Sequence, residues 1–269
     1  MLYNDLVKIN HPNKEEKPMK KTLALVLALM MVVALFAGCN NDPQPTTPTE
    51  PSTPVSTVMT HAEYLSAAED AAVEVECYVQ ATQCWWDNKI VVYAQDMDGA
   101  YFMYNMECSE EDSAKLVPGA KIRVTGFKAA YKGEVEVIDC TFEVLEGTWI
   151  APAFDVTNLL ASADLINYQN MFAAIKGAKV VASVDANGNE VAFLYNWNGS
   201  GVAGNDLYFN IEVGGVVYNM CVESYLCGDG TAVYDAVEAL NIGDVINLEG
   251  FLYWYDGVNP HITSVEVVG

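Results

Sequence analysis

The sequence predicts an all-β protein with short helices: two tandem five-stranded Greek-key barrels that follow a signal peptide and a disordered Pro/Thr-rich linker. Three observations predict this. A long stretch of the chain repeats, each copy divides into short alternating strands separated by turn residues, and the first 59 residues hold an apolar export signal and a proline-rich tract. The 269 residues are 52% hydrophobic and 18% charged, enough apolar material for packed cores in one or two domains. Basic residues number 13 against 36 acidic ones, a net charge of -23, which disfavours a polyanionic ligand such as nucleic acid.

Residues 1–18 precede a plausible start at Met19 and show no apolar periodicity, so they are expected to be a misassigned start or a dispensable extension. Lys20 and Lys21 then lead into an uncharged apolar run over 22–36, which ends on the small residues Ala37 and Gly38 before Cys39. A basic start, a short apolar run and a small-residue cut site make residues 19–38 a signal peptide, since a spanning helix needs about 20 apolar residues. The segment Leu35-Phe36-Ala37-Gly38-Cys39 resembles the lipobox of bacterial lipoproteins. The resemblance implies a diacylglyceryl group on the Cys39 thiol, cleavage before Cys39, and residence on the outer face of the bacterial cell membrane. Each buried lipid CH₂ contributes about 0.8 kcal/mol, so two or more acyl chains anchor a protein durably. Residues 39–59, with five prolines among Thr and Ser, form the lipid-anchored linker. In polyproline geometry such a stalk spans on the order of 60 Å.

Removing the first 38 residues takes away 5 basic and 3 acidic residues, leaving 8 against 33, a net charge of -25. After Lys179 there is no Lys or Arg, against 12 acidic residues. The repeat aligns Leu116, Gly119, Ile122, Val124, Gly126 and Phe127 with Leu240, Gly243, Ile246, Leu248, Gly250 and Phe251, an offset of 124 that continues through Tyr131 and Tyr255 to Val144 and Val268. Near each start the offset is 100, with Val75 on Ile175 and Cys77 on Gly177, so the second copy carries 24 extra residues in its middle. These define domains at 60–147 and 155–269, the second with a central insertion placed at 196–230. In the first copy, strands are expected over 73–79, 90–95, 100–106, 121–128 and 134–143. Asp96-Met-Asp98-Gly99 reads as a hairpin turn, and Ser109-Glu-Glu-Asp112 as a helix cap.

The patterns Tyr93-x-Gln-Asp-x-Asp-Gly-x-Tyr101 and Leu116-x-x-Gly-x-x-Ile-x-Val-x-Gly126 resemble the OB-fold modules of bacterial surface proteins. The resemblance implies a ligand face on strands two and three, edged by the loops joining strands one–two and four–five. On that frame Trp85 and Trp86 fall in the one–two loop of the first copy, and Tyr93, Phe102 and Tyr104 on strands two and three. Tyr131 lies in the four–five loop, with Tyr253, Trp254 and Tyr255 at the matching turn of the second copy. Trp85, Trp86, Tyr93, Phe102, Tyr104, Tyr131, Trp254 and Tyr255 are therefore the candidate ligand-binding residues. Aromatic faces stack on sugars or bases, and an uncharged sugar tolerates an acidic setting better. The same rings would also serve as ordinary packing within and between small barrels.

Nothing in the spacing singles out catalysis. Carboxylates are many but unpaired by pattern, and only His61 and His261 remain in the mature chain, each read as solvated. No zinc cluster, Ser-His-Asp or Cys-His arrangement is evident, and no cofactor, metal or catalytic residue is expected. Asp96-Met-Asp98-Gly99 and the Asp185–Glu190 stretch superficially resemble calcium loops but lack the twelve-residue pattern. The six remaining cysteines allow 15 pairings, with Cys221 and Cys227 the first candidate disulfide, and Cys77 and Cys140 read equally as buried thiols. The expected function is non-catalytic binding at the cell surface, of a neutral glycan or a protein partner. A structural or assembly subunit of a cell-envelope complex, docking through the insertion, is the alternative, and a nucleic-acid module the less favoured third.

Overall fold

The two glycines that the repeat holds fixed show why each copy closes. Gly119 and Gly243 have φ of +90° and +103°, the left-handed turn that launches strand four in each copy. Gly126 and Gly250 sit at bulges where strand four crosses strand five. A Cβ on Gly250 would lie 2.2 Å from the His261 carbonyl oxygen, and one on Gly126 would lie 2.5 Å from Cys140 Cβ. The same motif thus builds the same corner twice.

The computed structural model describes residues 58–269. The expectations for residues 1–18, the signal peptide, Cys39 and all but the last two linker residues lie outside the described residues. Barrel 1 opens with α1 (His61–Ser66), whose N-cap Thr60 and Glu63 bond each other's backbone N–H groups in a capping box. Its strands are β1 (Ala72–Thr82), β2 (Lys89–Gln95), β3 (Ala100–Glu107), β4 (Ala120–Tyr131) and β5 (Glu134–Thr148), closed in the order β1-β2-β3-β5-β4, with α2 (Glu110–Ser113) between β3 and β4. This is the OB topology. The Asp96 carboxylate accepts from the N–H groups of Asp98 (2.7 Å) and Gly99 (2.8 Å), and Ser109 Oγ accepts from Asp112 N (3.1 Å), as the turn and cap readings require.

A short strand β6 (Phe154–Asp155) and a 3₁₀ turn (Ala163–Tyr168) lead into barrel 2. There β7 (Phe172–Val181) is followed by β8 (Ser183–Val184), β9 (Glu190–Val191) and β10 (Phe193–Tyr195) within one long connection. Then come β11 (Leu207–Val213), β12 (Val216–Val222), α3 (Ala232–Glu238), β13 (Val245–Phe251) and β14 (His261–Val267). β7 pairs with both β11 and β13, and β12 with β14, so β7-β11-β12-β14-β13 closes as barrel 1 does. Even the parallel closing pairs correspond: Met103 with Val137 in barrel 1, Cys221 with His261 in barrel 2. Inward residues such as Val75, Met103 and Val124 fill one core, and Ile175, Phe209 and Leu248 the other. Among the described residues no helix is long and apolar enough to cross a membrane.

Two details of the alignment need correction. Gly177 is a bulge residue with φ of +64°, and Ala178, paired with Ile246, takes the core position that Cys77 holds opposite Ile122. The extra residues also divide. The one–two connection grows from 83–88 to 182–206, and the three–four connection from 108–119 to 223–244. Much of the expected insertion at 196–230 is therefore barrel itself, strands β11 and β12.

Candidate functional site

The outer wall of β2 and β3, where the fold resemblance places a ligand, is covered by barrel 2. Val91, Tyr93 and Phe102 form one buried cluster with Phe251, flanked by Phe172, Leu226 and Tyr253. Tyr93 stacks on Phe251 at 4.5 Å, and Phe102 lies 5.3 Å from Tyr253. The Tyr93 hydroxyl accepts from Gln83 Nε2 (3.4 Å) and shares a hydrogen bond with His261 Nδ1 (2.6 Å), while Tyr253 stacks on the His261 ring at 4.2 Å. Burial holds His261 neutral, lowering its pKa to about 3. The solvated reading of both histidines is therefore wrong: His261 is sealed in this seam, and His61 is buried over Gly99 with Nε2 3.2 Å from the Ala100 carbonyl.

Beside this apolar seam the two four–five turns meet each other. Lys132 Nζ is 2.8 Å from the Asp256 carboxylate, Asp256 N donates to the Lys132 carbonyl (2.7 Å), and the Tyr131 and Tyr255 rings lie 6.1 Å apart. Each pair is separated by the repeat offset, so corresponding residues of the two turns meet. Glu134 is fully buried here, accepting from Asn170 Nδ2 and from Trp254 N (2.9 Å). Desolvation raises its pKa to about 8 against the pull of those two donors.

The eight candidate aromatics accordingly separate. Tyr93 and Phe102 are buried between the barrels and Trp254 belongs to the barrel 2 core, so none of the three presents a face to a ligand. Tyr104, Tyr131 and Tyr255 stay at least partly exposed, Tyr131 and Tyr255 at the meeting turns, with Lys132 Nζ 5.8 Å above the Tyr255 ring. Trp85 packs against the barrel 1 core, its indole N–H donating to the Cys108 carbonyl (2.8 Å). Trp86 is the one large exposed ring of the adjacent pair, at 70%.

Local geometry explains that exposure. Trp86 and Lys89 exchange both backbone hydrogen bonds (3.0 and 2.9 Å) around Asp87 and Asn88, whose φ of +48° and +58° define a type I′ turn. The turn is held at several points: Cys108 N donates to the Asn88 carbonyl (3.0 Å), Trp85 bonds Cys108, and Cys84 N donates to the Tyr225 carbonyl of barrel 2 (2.8 Å). Against it opens a groove of about 610 Å³, walled by Asp87, Asn88 and Lys89, by Glu107, Ser109 and the Asp112–Lys115 ion pair, and by Thr141, Phe142 and Val144 of β5.

Charge elsewhere is mostly internally matched. Lys121 and Arg123 meet Glu76 at 2.6 Å each and hold it below the usual carboxylate range; Lys115, Lys132 and Lys176 pair with Asp112, Asp256 and Asp155. Lys128 is buried, donating to the carbonyls of Leu65 and Ala67. Only Lys89 and Lys179 lack an ion pair or such a bond among the described residues. Sequence reasoning missed one carboxylate pair: Glu223, raised to about 7 by burial and by the Asp206 charge. Asp206 accepts from Ser224 N (2.8 Å) and Glu223 from Leu226 N (2.8 Å), so both hold the turn after β12.

All six described cysteines are thiols, and the expected Cys221–Cys227 bridge is absent. Alternation along β12 sends Met220 and Val222 into the barrel and Cys221 to its outer wall, opposite Tyr208, while Cys227 packs on the core from the next turn. Alkylation of the native chain is expected to reach exposed Cys84 first and to spare Cys77, Cys108, Cys140 and Cys221 until unfolding. A peptide map retaining a Cys221–Cys227 crosslink would contradict this arrangement.

Strand order and seam together define a protein of two OB barrels fused through the outer wall of the first. No protein-family model and no curated protein matches the sequence. Among solved structures the chain is similar to the tetrameric p202 HIN2, at 12% identity and TM-score 0.33 over 75% of this chain and 96% of that one. It is similar to a murine DNA-binding protein bound with double-stranded DNA, at 10% identity and TM-score 0.34 over 72% and 98%. A third is the replication protein A heterotrimer bound to single-stranded DNA, at 10% identity and TM-score 0.31 over 77% and 52%. What those proteins bind is a property of theirs; the fold assignment here rests on strand order and register.

Proposed function

We propose that this chain is a lipid-anchored, extracytoplasmic, non-catalytic binding protein that holds an uncharged glycan in the groove beside Trp86. The observation that carries the reading is Trp86 itself. A 70% exposed indole is carried on a turn fixed at several points, whose next residues Asp87, Asn88 and Lys89 line a groove with amide, hydroxyl and carboxylate groups in its walls. A sugar presents a C–H face for the ring and hydroxyls for those polar groups. The signal peptide and lipobox resemblance support the location, and the proline-rich linker supports a stalk between membrane and barrels. Nucleic acid is disfavoured by the net charge of -23 and by the pairing or burial of most cations, which leaves no basic track for phosphates among the described residues.

The test is an array of starch, xylan, mannan and β-1,3-glucan, with single-stranded DNA alongside, probed with the full chain at low and moderate salt. Salt-indifferent glycan binding that Trp86→Ala weakens by about tenfold or more, with an unchanged melting temperature, supports the reading. Salt-sensitive DNA binding overturns it. A blank array also overturns it and turns the search to protein partners by crosslinking on cells.

A further inference from the structure

The long connection of barrel 2 presents a second exposed indole, Trp197, at 73% exposure. Its backbone is fixed. Gly199 N donates to the Asn196 carbonyl (3.1 Å) and Gly201 N to the Tyr195 carbonyl (3.0 Å), with Asn196 and Gly199 at φ of +59° and +72°. The lobe is also tied to the barrel at several points. β10 pairs with β11, the Tyr195 hydroxyl donates to Glu238 Oε1 (2.6 Å) on α3, and the Tyr234 hydroxyl bridges Gly204 N and the Asn205 carbonyl at 2.8 Å each. Trp197 therefore stands on a preorganised turn, as Trp86 does.

The segment that carries the ring is neutral. Residues 191–205 contain no charged side chain, in a chain where 18% of residues are charged. Asn196, Asn198 and Ser200 neighbour Trp197 in the chain and carry neutral donors and acceptors. A lobe without cations gives no purchase to a phosphate or carboxylate ligand. Asp185, Asp206 and Glu238, which border it, are engaged within the fold: Asp185 accepts from Asn187 N and from Asn189, Asp206 from Ser224, and Glu238 from Tyr195. An uncharged, hydroxyl-rich ligand meets both the ring and the amides.

We infer that Trp197 and its flanking amides form a second glycan site, so that each chain grips an uncharged polysaccharide at two points. The inference rests on the reading proposed for Trp86 and deepens it. Both barrels offer an exposed indole from the same connection, between strands one and two, although the two connections share neither length nor sequence. Two sites on one chain raise the affinity for a polymer without new contacts.

The experiment titrates the full chain by calorimetry with a hexasaccharide of whichever polysaccharide binds on the array, and then with the polymer. The expected result is two hexasaccharides per wild-type chain and one per Trp197→Ala or Trp86→Ala chain. Affinity for the polymer should fall at least about tenfold in each variant. Trp197→Phe, which keeps an aromatic face, should recover much of the loss, and circular dichroism should show both variants folded. A wild-type stoichiometry of one, abolished by Trp86→Ala and untouched by Trp197→Ala, overturns this inference and leaves the Trp86 site standing. Binding abolished by Trp197→Ala alone keeps this site and removes the other. No binding to any polysaccharide overturns both.

Discussion

Phe251→Ala is expected to lower the unfolding free energy by about 3–5 kcal/mol, and Phe127→Ala by less than about 1 kcal/mol. The two phenylalanines hold the same place in the repeat, following the fixed glycine at the strand-four bulge. Their surroundings differ completely. Phe251 is 2% exposed, stacked on Tyr93 at 4.5 Å and beside Phe172 at 5.4 Å. Phe127 is 45% exposed on the outer wall of barrel 1, near a ladder of ion pairs from Glu74, Glu76, Lys121 and Arg123. Deleting Phe251 removes the centre of the only apolar cluster that spans both barrels among the described residues, and its neighbours, held by their own sheets, cannot close the gap. The barrels should then lose cooperativity as well as stability. Urea unfolding followed by tryptophan fluorescence and by far-ultraviolet circular dichroism should coincide in the wild type and separate in Phe251→Ala. Equal losses from the two substitutions would mean that the seam contributes nothing beyond ordinary surface packing.

The contrast between these residues also explains what the sequence disclosed and what it concealed. The repeated glycines were legible because backbone geometry demands them: a positive φ at Gly119 and Gly243, a crossing strand at Gly126 and Gly250. The turn at Asp96 and the cap at Ser109 were legible for the same local reason. Tyr93 and Phe102 misled because an outward aromatic on a strand looks alike whether it meets a sugar or another barrel, and the partner surface lies more than a hundred residues away in the chain. His261 misled in the same way, its position near a strand end suggesting water where the structure has Tyr93 and Tyr253. β11 and β12 were partly hidden because the connection before them is 25 residues long where barrel 1 needs 6, which broke the register on which the repeat was recognised. Trp85 and Trp86 were correctly placed in their loop. Their opposite fates depend on a hydrogen bond from Trp85 to Cys108, 23 residues along the chain, which no local pattern encodes, although Asp87-Asn88 is a pair that suits the type I′ turn.

Stability should peak on the acid side of neutrality and fall on both sides, a consequence of buried groups, most of them in or near the seam. His261 binds its proton with a pKa of about 3 in the folded chain against 6.5 when unfolded. Between those values the unfolded chain carries the extra proton, so stability rises with pH and is lost as pH falls toward 3. Glu134 and Glu223 are displaced the other way, to about 8 and about 7 from 4.5. Between 4.5 and those values the folded chain carries the extra protons, so the stabilisation is complete below pH 4.5 and is lost as pH rises through 7 and 8. Below pH 6.5 the two carboxyls are opposed by His261 and by His61, whose pKa burial also lowers, so the slope is steepest above pH 6.5, where neither imidazole contributes. Glu76, Asp112, Asp155 and Asp185, held below the usual carboxylate range by hydrogen bonds and ion pairs, add to the loss on the acid side. The fall from pH 5 to pH 8 is expected to be roughly 2–4 kcal/mol, since each tenfold change in proton affinity corresponds to about 1.4 kcal/mol and burial of Glu134 is complete. Glu134→Gln keeps an acceptor for one of Asn170 Nδ2 and Trp254 N and loses the other, so it should begin about 1 kcal/mol less stable at pH 5. It should then lose less than the wild type up to pH 8, because its neutral side chain never has to release a proton inside the seam. Urea midpoints of the two chains at pH 5, 6.5 and 8 decide the matter. Curves that stay parallel would assign the alkaline loss to Glu223, and a wild type that gains stability from pH 5 to pH 8 would mean that Glu134 is ionised in the seam.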